Sequence, residues 1–240
     1  FMAVSLLEVH EALKNRGASL NVMTGKAHEC LEKRLKAGGV DAVYVNEDYT
    51  PFSIKRDKQL ESICEAHQVN WISEFDLLLS EPGTVLTGSG DPYKVYSPFA
   101  KKAQEQSVPE PRANKFSNFS EHEYGHNIND LKSLVLHDDQ LFRKGGRSEA
   151  LEILRDLEDL KNYKEERNFP AIHGTSGLSA HHKFGTISIR ETYEAAKEKH
   201  LPQQFINELY WRDFFTHLAF SFPYVFERNF QEDTEKVEWR

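Results

Sequence analysis

Cysteine is scarce in this 240-residue sequence: Cys30 and Cys64 stand far apart, with no Cys-x-x-Cys spacing. That excludes a disulfide framework and a paired redox motif, and it fits two reduced, buried thiols inside a cell. Long apolar runs are missing, so no segment reaches the length of a membrane span. The opening FMAVSLLEVHEALKNRG carries acids and has no basic leader, so no signal peptide is expected. Positive charge is in the minority, 30 Lys and Arg against 38 Asp and Glu, for a net charge of −8. This excludes a broad nucleic-acid-binding patch but leaves room for a local basic groove. With 39% hydrophobic and 28% charged residues the chain is neither disordered nor membrane-like. It is long enough for one large domain or two small ones.

Helix and strand patterns alternate over residues 1–85. SLLEVHEALKNRG reads as a helix with Gly17 as its C-terminal cap, SLNVMTG as a short strand, and KAHECLEKRLKAGG as a helix closed by glycines. VDAVYVN and VNWISE read as strands on either side of the helix PFSIKRDKQLESICEAHQ. Such alternation predicts a parallel sheet with helical crossovers, a Rossmann-like α/β domain. Residues 86–145 are rich in Gly, Pro, Ser and Asn at first and read as a linker. From 146 to 240 the apolar spacing is three and four, as in SEALEILRDLEDL and LPQQFINELYWRDFFTHLAFSF, which predicts an all-α domain.

Two stretches stand out. HGTSGLSAHHKFGTIS, residues 173–188, sets hydroxyls and glycines where a helix begins. Free N–H groups at a helix start suit a phosphate, and Gly174 and Gly177 let the backbone approach a bulky anion. Equally, Thr175, Ser176 and Ser179 have the chemistry of ordinary helix caps. Ser188 to Glu191, SIRE, reads as a capping box for the next helix. In FINELYWRDFF, residues 205–215, Phe205, Glu208 and Arg212 share a helical face beside Trp211 and Phe215. Ile206, Leu209, Tyr210, Phe214 and Leu218 form a separate apolar stripe. Against a ligand-facing role stands the plain one, a Glu208–Arg212 surface pair with Trp211 in the core.

HEYGH, residues 122–126, satisfies the His-Glu-x-x-His zinc pattern. A zinc site needs a regular helix and a third ligand, whereas Gly125 and an Asn/Ser-rich setting surround this one, so no metal is expected. His181 and His182 are adjacent and point apart on a helix.

YKEERNFPAIHGTSGLSAHHKFGTIS and FINELYWRDFF, with EPGTVLTGSGDPYKVYSPFAK and VDAVYVNEDYTPFSIKRD, resemble the DNA photolyase and cryptochrome family, most of all its class I cyclobutane pyrimidine dimer photolyases. The likeness runs along essentially the whole chain. It implies an α/β antenna domain over 1–85, an interdomain linker over 86–145 and an FAD-binding domain beginning at 146. Members of the family are longer, so it also implies an incomplete chain, without the first strand and the C-terminal part of the FAD domain.

Residue by residue, the resemblance implies FAD binding by Tyr163, Thr175, Ser176, Gly177, Leu178, Ser179, Phe205 and Arg212. It implies a DNA phosphate contact at Arg167, and contact with a flipped pyrimidine dimer at Glu208 and Trp211. Trp239 takes the place of the outermost electron-transfer tryptophan if one residue is deleted before it; otherwise it is an exposed aromatic. The implied cofactor is FAD; the antenna position is left open among a folate, a deazaflavin, a flavin and no second chromophore. The implied partner is DNA containing pyrimidine dimers, bound by a monomer in the cytoplasm and, in a prokaryote, at the nucleoid, with no membrane. The implied activity is light-driven dimer repair. A cryptochrome-type photoreceptor uses the same flavin site, and an inactive fragment is the third reading; Asn207-Glu208 favours repair.

Overall fold

The computed structural model describes residues 1–120, 124–125, 128, 135 and 142–231. These fall into two compact units, Phe1–Thr24 with Pro109–Asn207, and Gly25–Val108 with Glu208–Arg240.

In the unit that begins at Gly25, α2 (Ala27–Lys36) leads to β1 (Ala42–Asn46), α3 (Pro51–Ala66) and β2 (Asn70–Glu74). β1 and β2 pair in parallel, with Ala42 opposite Asn70 and Asn46 opposite Glu74, the crossover pattern that the alternation predicts. Gly38 and Gly39, both at positive φ, follow α2, and the Arg34 guanidinium donates to Gly38 O at 2.9 Å. α3 starts with Pro51 at its first position, and Thr50 Oγ1 accepts the N–H of Ser53 at 3.3 Å. Cys64 is fully buried and Cys30 half-buried, and both are free thiols. Residues 19–25, expected as a strand, show one β-bridge residue, Val22, and no strand among the described residues. Asn21, Met23, Thr24 and Gly25 are exposed, so Leu20 and Val22 alone bury too little to fix a strand.

The segment read as a linker contains a helix, α4 (Tyr96–Ala103), with Phe99, Ala100 and Ala103 buried at one-, three- and four-residue spacing. Pro98 sits in its first turn, where a missing N–H costs nothing. Breaker residues hid a short helix whose apolar face is regular.

The other unit is helical. α1 (Met2–Lys14) joins it, although residues 1–85 read as one α/β domain. The reason is a set of side-chain bonds from α1 to the start of α5 (Arg147–Arg155). Ser5 Oγ accepts the N–H of Gly146 at 2.9 Å, and Glu8 Oε1 accepts that of Ser148 at 2.8 Å. Glu8 thus caps a helix that has no cap of its own. After a 3₁₀ turn (Leu157–Leu160) come α6 (Tyr163–Glu166), α7 (Ser179–Phe184), α8 (Ile189–Glu198) and α9 (Gln203–Ser221). Ala150, Leu154, Leu157, Leu160, Leu178 and Ile187 belong to the core of this unit. The predicted capping box is present: Ser188 Oγ accepts from Arg190 N at 3.2 Å, and Glu191 Oε2 accepts from Ser188 N at 2.9 Å. Arg147 holds Glu191 in place at 2.6 Å. No helix among the described residues is long and apolar enough to cross a membrane.

Candidate functional site

The hydroxyl-rich stretch leads into α7, whose N-cap is Leu178. Helix capping by Thr175, Ser176 or Ser179 is not what the structure shows. Leu178 is 2% exposed and anchors the helix start in the core, so an apolar residue holds the cap position. Ser176 Oγ accepts the N–H of Leu178 at 3.4 Å, a bond within the loop. The hydroxyls of Thr175 and Ser179 are on exposed residues and make no hydrogen bond among the described residues. Gly177 has φ +67°, and a Cβ there would lie 2.6 Å from Arg143 Nε and 2.7 Å from Phe142 Cε1. Arg143 donates to Ser176 O at 2.9 Å, while its buried Nε finds no partner among the described residues. The loop therefore offers bare backbone, two unengaged hydroxyls and a guanidinium, a donor set that fits an anionic diphosphate.

A cavity of about 330 Å³ opens beside it, lined by Arg143, Thr175 and Ser176 but also by Glu149, Glu152, Asp156 and Asp159. An anion inside would meet those carboxylates against one guanidinium, so a diphosphate is better served at the exposed rim of the loop. In the same unit Tyr163 and Phe205 are buried and meet edge to face at 5.2 Å, and the Arg167 guanidinium lies 5.7 Å over the Tyr163 ring. Tyr163, Leu178 and Phe205 are thus core residues of this unit.

The second group lies on α9 from Glu208 onward. Trp211 stacks on Tyr96, ring centroids 3.6 Å apart and planes 6° from parallel. Phe215, 61% exposed, stacks on Trp211 at 5.6 Å. Burial, with the Glu208 carboxylate as a lesser cause, pushes the Tyr96 phenol up to about 12. The Arg212 guanidinium donates to Leu77 O, and burial pulls its pKa down. Asp213 is wholly buried, and its Oδ2 accepts the N–H groups of Leu79 and Ser80. Burial raises this carboxyl to about 7, against the pull of those N–H bonds and of Arg212. His217, one turn on, contacts Ser80 O through Nε2 at 3.2 Å, and burial pulls its pKa down. Its ring sits edge-on to Phe99 at 4.9 Å.

Residues 1–115 match the family model for DNA photolyase. A deoxyribodipyrimidine photo-lyase from a Synechococcus species is 29% identical over 98% of this chain and 53% of its own length. A bacterial class III photolyase from Agrobacterium tumefaciens superposes with a TM-score of 0.87 at 29% identity, over 100% of this chain and 53% of that one. The chain is similar to members of the DNA photolyase/cryptochrome family along its whole length. An archaeal photolyase from Sulfolobus tokodaii, described with two FAD molecules, superposes with a TM-score of 0.83 at 34% identity, over 100% of this chain and 52% of that one. The chain thus spans about half the length of these photolyases. Similarity to a class III member at this level does not single out class I.

Within this photolyase-like chain, the structure gathers Thr175, Ser176, Gly177, Leu178 and Ser179 on one loop, with Tyr163 and Phe205 in the core of the same unit. Glu208, Trp211 and Arg212 belong to the other unit. Trp239 lies outside the described residues, as do His122, Glu123 and His126 of the zinc-like pattern. Reasoning from sequence missed Arg143, Tyr96, Asp213 and His217. The last two carried a signal: an acid and a histidine four apart share one helix face and can reach the same buried partner.

Proposed function

We propose that this chain is part of a light-driven DNA repair flavoenzyme, a deoxyribodipyrimidine photo-lyase acting on cyclobutane pyrimidine dimers. The observation that carries the reading is the Trp211 indole beside Glu208 on α9 in a chain similar to this family. Bound reduced FAD supplies, on absorbing blue or near-ultraviolet light, the electron that opens the cyclobutane ring and is then returned. Thr175, Ser176, Ser179 and the Gly177 backbone hold the diphosphate. Leu178, Tyr163 and Phe205 are core residues of the same unit and support that loop. The dimer leaves the duplex cheaply because damaged bases pair poorly. Trp211 gives it a flat apolar surface, and Glu208 accepts hydrogen bonds from its base edge. Arg167 supplies a phosphate contact that carries no sequence preference.

In this reading the antenna domain lies within residues 1–85, although α1 groups with the helical unit, residues 86–145 are the linker, and 146–240 are the start of the FAD domain. A second chromophore gathers light; a flavin is among the pigment classes the sequence admits, and the Sulfolobus protein is described with two FAD molecules. The protein acts as a monomer on DNA in the cytoplasm.

The test is repair of a duplex carrying one cyclobutane dimer by the full-length protein, reduced and loaded with FAD. Repair is expected under blue light and absent in the dark. Tight dimer binding with no repair in light would overturn the enzymatic reading in favour of a photoreceptor.

A further inference from the structure

Tyr96 opens α4, and Phe99, 1% exposed, anchors that helix three residues later. Phe99 packs on Phe214 at 5.3 Å, and Phe214 meets both Tyr96 and Trp211 edge-on at 5.8 Å. The near-parallel Tyr96–Trp211 stack is therefore held from both helices, and the indole cannot turn without breaking it. The Tyr96 phenol, raised to about 12 near Glu208, stays protonated and neutral throughout the physiological range. We propose that Tyr96 is a positioning residue for lesion recognition, covering one face of Trp211 and fixing the plane on which a damaged base stacks, with the exposed Phe215 ring offset beside the indole as part of the same platform. The inference rests on the reading of Trp211 as the lesion-stacking residue. It gives a purpose to an aromatic in a segment whose composition reads as a linker. Stacking on a fixed ring loses less orientational freedom on binding than stacking on a mobile one, so the gain lies in affinity for the lesion alone.

The experiment compares Tyr96→Phe, Tyr96→Leu and Trp211→Ala in the full-length, FAD-loaded protein. Each is titrated with duplex carrying one cyclobutane dimer and with the same duplex undamaged. Tyr96→Leu keeps apolar volume but removes the π face, and it should lower the preference for damaged DNA about tenfold, within the range of one base–aromatic stack. Binding to undamaged duplex and flavin content should hold, and Tyr96→Phe should restore the preference. If Trp211→Ala removes the preference while Tyr96→Leu keeps it, the role of Tyr96 is overturned and the substrate reading stands. If Trp211→Ala leaves the preference intact, the substrate reading itself fails. Should Tyr96→Leu weaken both duplexes or release flavin, Tyr96 is a packing residue and the inference is wrong.

Discussion

Asp213 ties α9 to the backbone of Ser80: its Oδ2 accepts the Ser80 N–H at 3.0 Å and the Leu79 N–H at 3.1 Å, while Oδ1 is buried without a partner among the described residues. Arg212 and His217 hold the carbonyls of Leu77 and Ser80 from the same helix. Three polar side chains on one stretch of α9 thus satisfy the buried backbone of a loop that has no regular structure of its own.

This clamp has a pH signature. The Asp213 carboxyl is raised from 3.8 to about 7 by burial, so the folded protein binds a proton the unfolded chain releases. Its contribution to stability is full below the unfolded value and is lost as pH climbs through about 7. His217 acts in the opposite sense: its pKa is pulled down from 6.5, so stability from it is present above that value and lost on acidification. The difference in unfolding free energy between wild type and Asp213→Asn should therefore grow as pH falls from 7 toward 4. Urea midpoints across that range test it, and a difference constant with pH would show that Asp213 does not titrate there.

Gly177 and Gly185 share a φ of +67° and differ in their surroundings. A Cβ at Gly185 meets nothing within 4 Å, whereas one at Gly177 meets Arg143 and Phe142. Gly185→Ala should cost about 1 kcal/mol from the backbone alone. Gly177→Ala should cost about 1–3 kcal/mol more and lower flavin content, since strain adds to the backbone term. Equal losses in thermal unfolding would show that the loop yields freely.

Thr175 and Ser179 are exposed and unengaged, so Thr175→Val with Ser179→Ala should leave unfolding within about 0.5 kcal/mol when flavin is stripped. Flavin retention should fall. Ser188→Ala is the opposite control: it breaks a capping box and should cost about 1 kcal/mol with flavin retained. Flavin content after gel filtration, with melting of the stripped proteins, separates the two effects.

Glu208→Gln keeps the shape and removes the charge. Repair per absorbed photon should drop several-fold, while affinity for dimer-containing DNA changes little, because the carboxylate is assigned to the base edge rather than to the stack. Quantum yield paired with a binding titration decides it, and an unchanged yield would remove Glu208 from the mechanism.

Much of the fold was legible where burial imposes a period. β1, α3 and β2 follow directly from VDAVYVN, PFSIKRD and VNWISE, and the Ser188 box from its four letters. The failures share one cause: the deciding contact was remote in sequence. α1 joins the helical unit through Ser5 and Glu8, bonded some 140 residues away. Leu178 took the cap position because the core claimed its side chain, which no local hydroxyl preference reveals. Of the candidate site, the loop at 175–179 and the α9 residues were readable from type and spacing. Tyr96 was not, because Pro98 and its glycine-rich approach disguise the helix that presents it.

The Tyr96–Trp211 stack also makes the protein its own optical gauge. Parallel rings 3.6 Å apart couple their electronic transitions, which gives near-ultraviolet dichroism and quenches indole emission. The sequence holds only three tryptophans, so this one pair weighs heavily in the signal. Any event that peels α4 from α9 should brighten the emission and flatten the dichroism before the helices themselves melt.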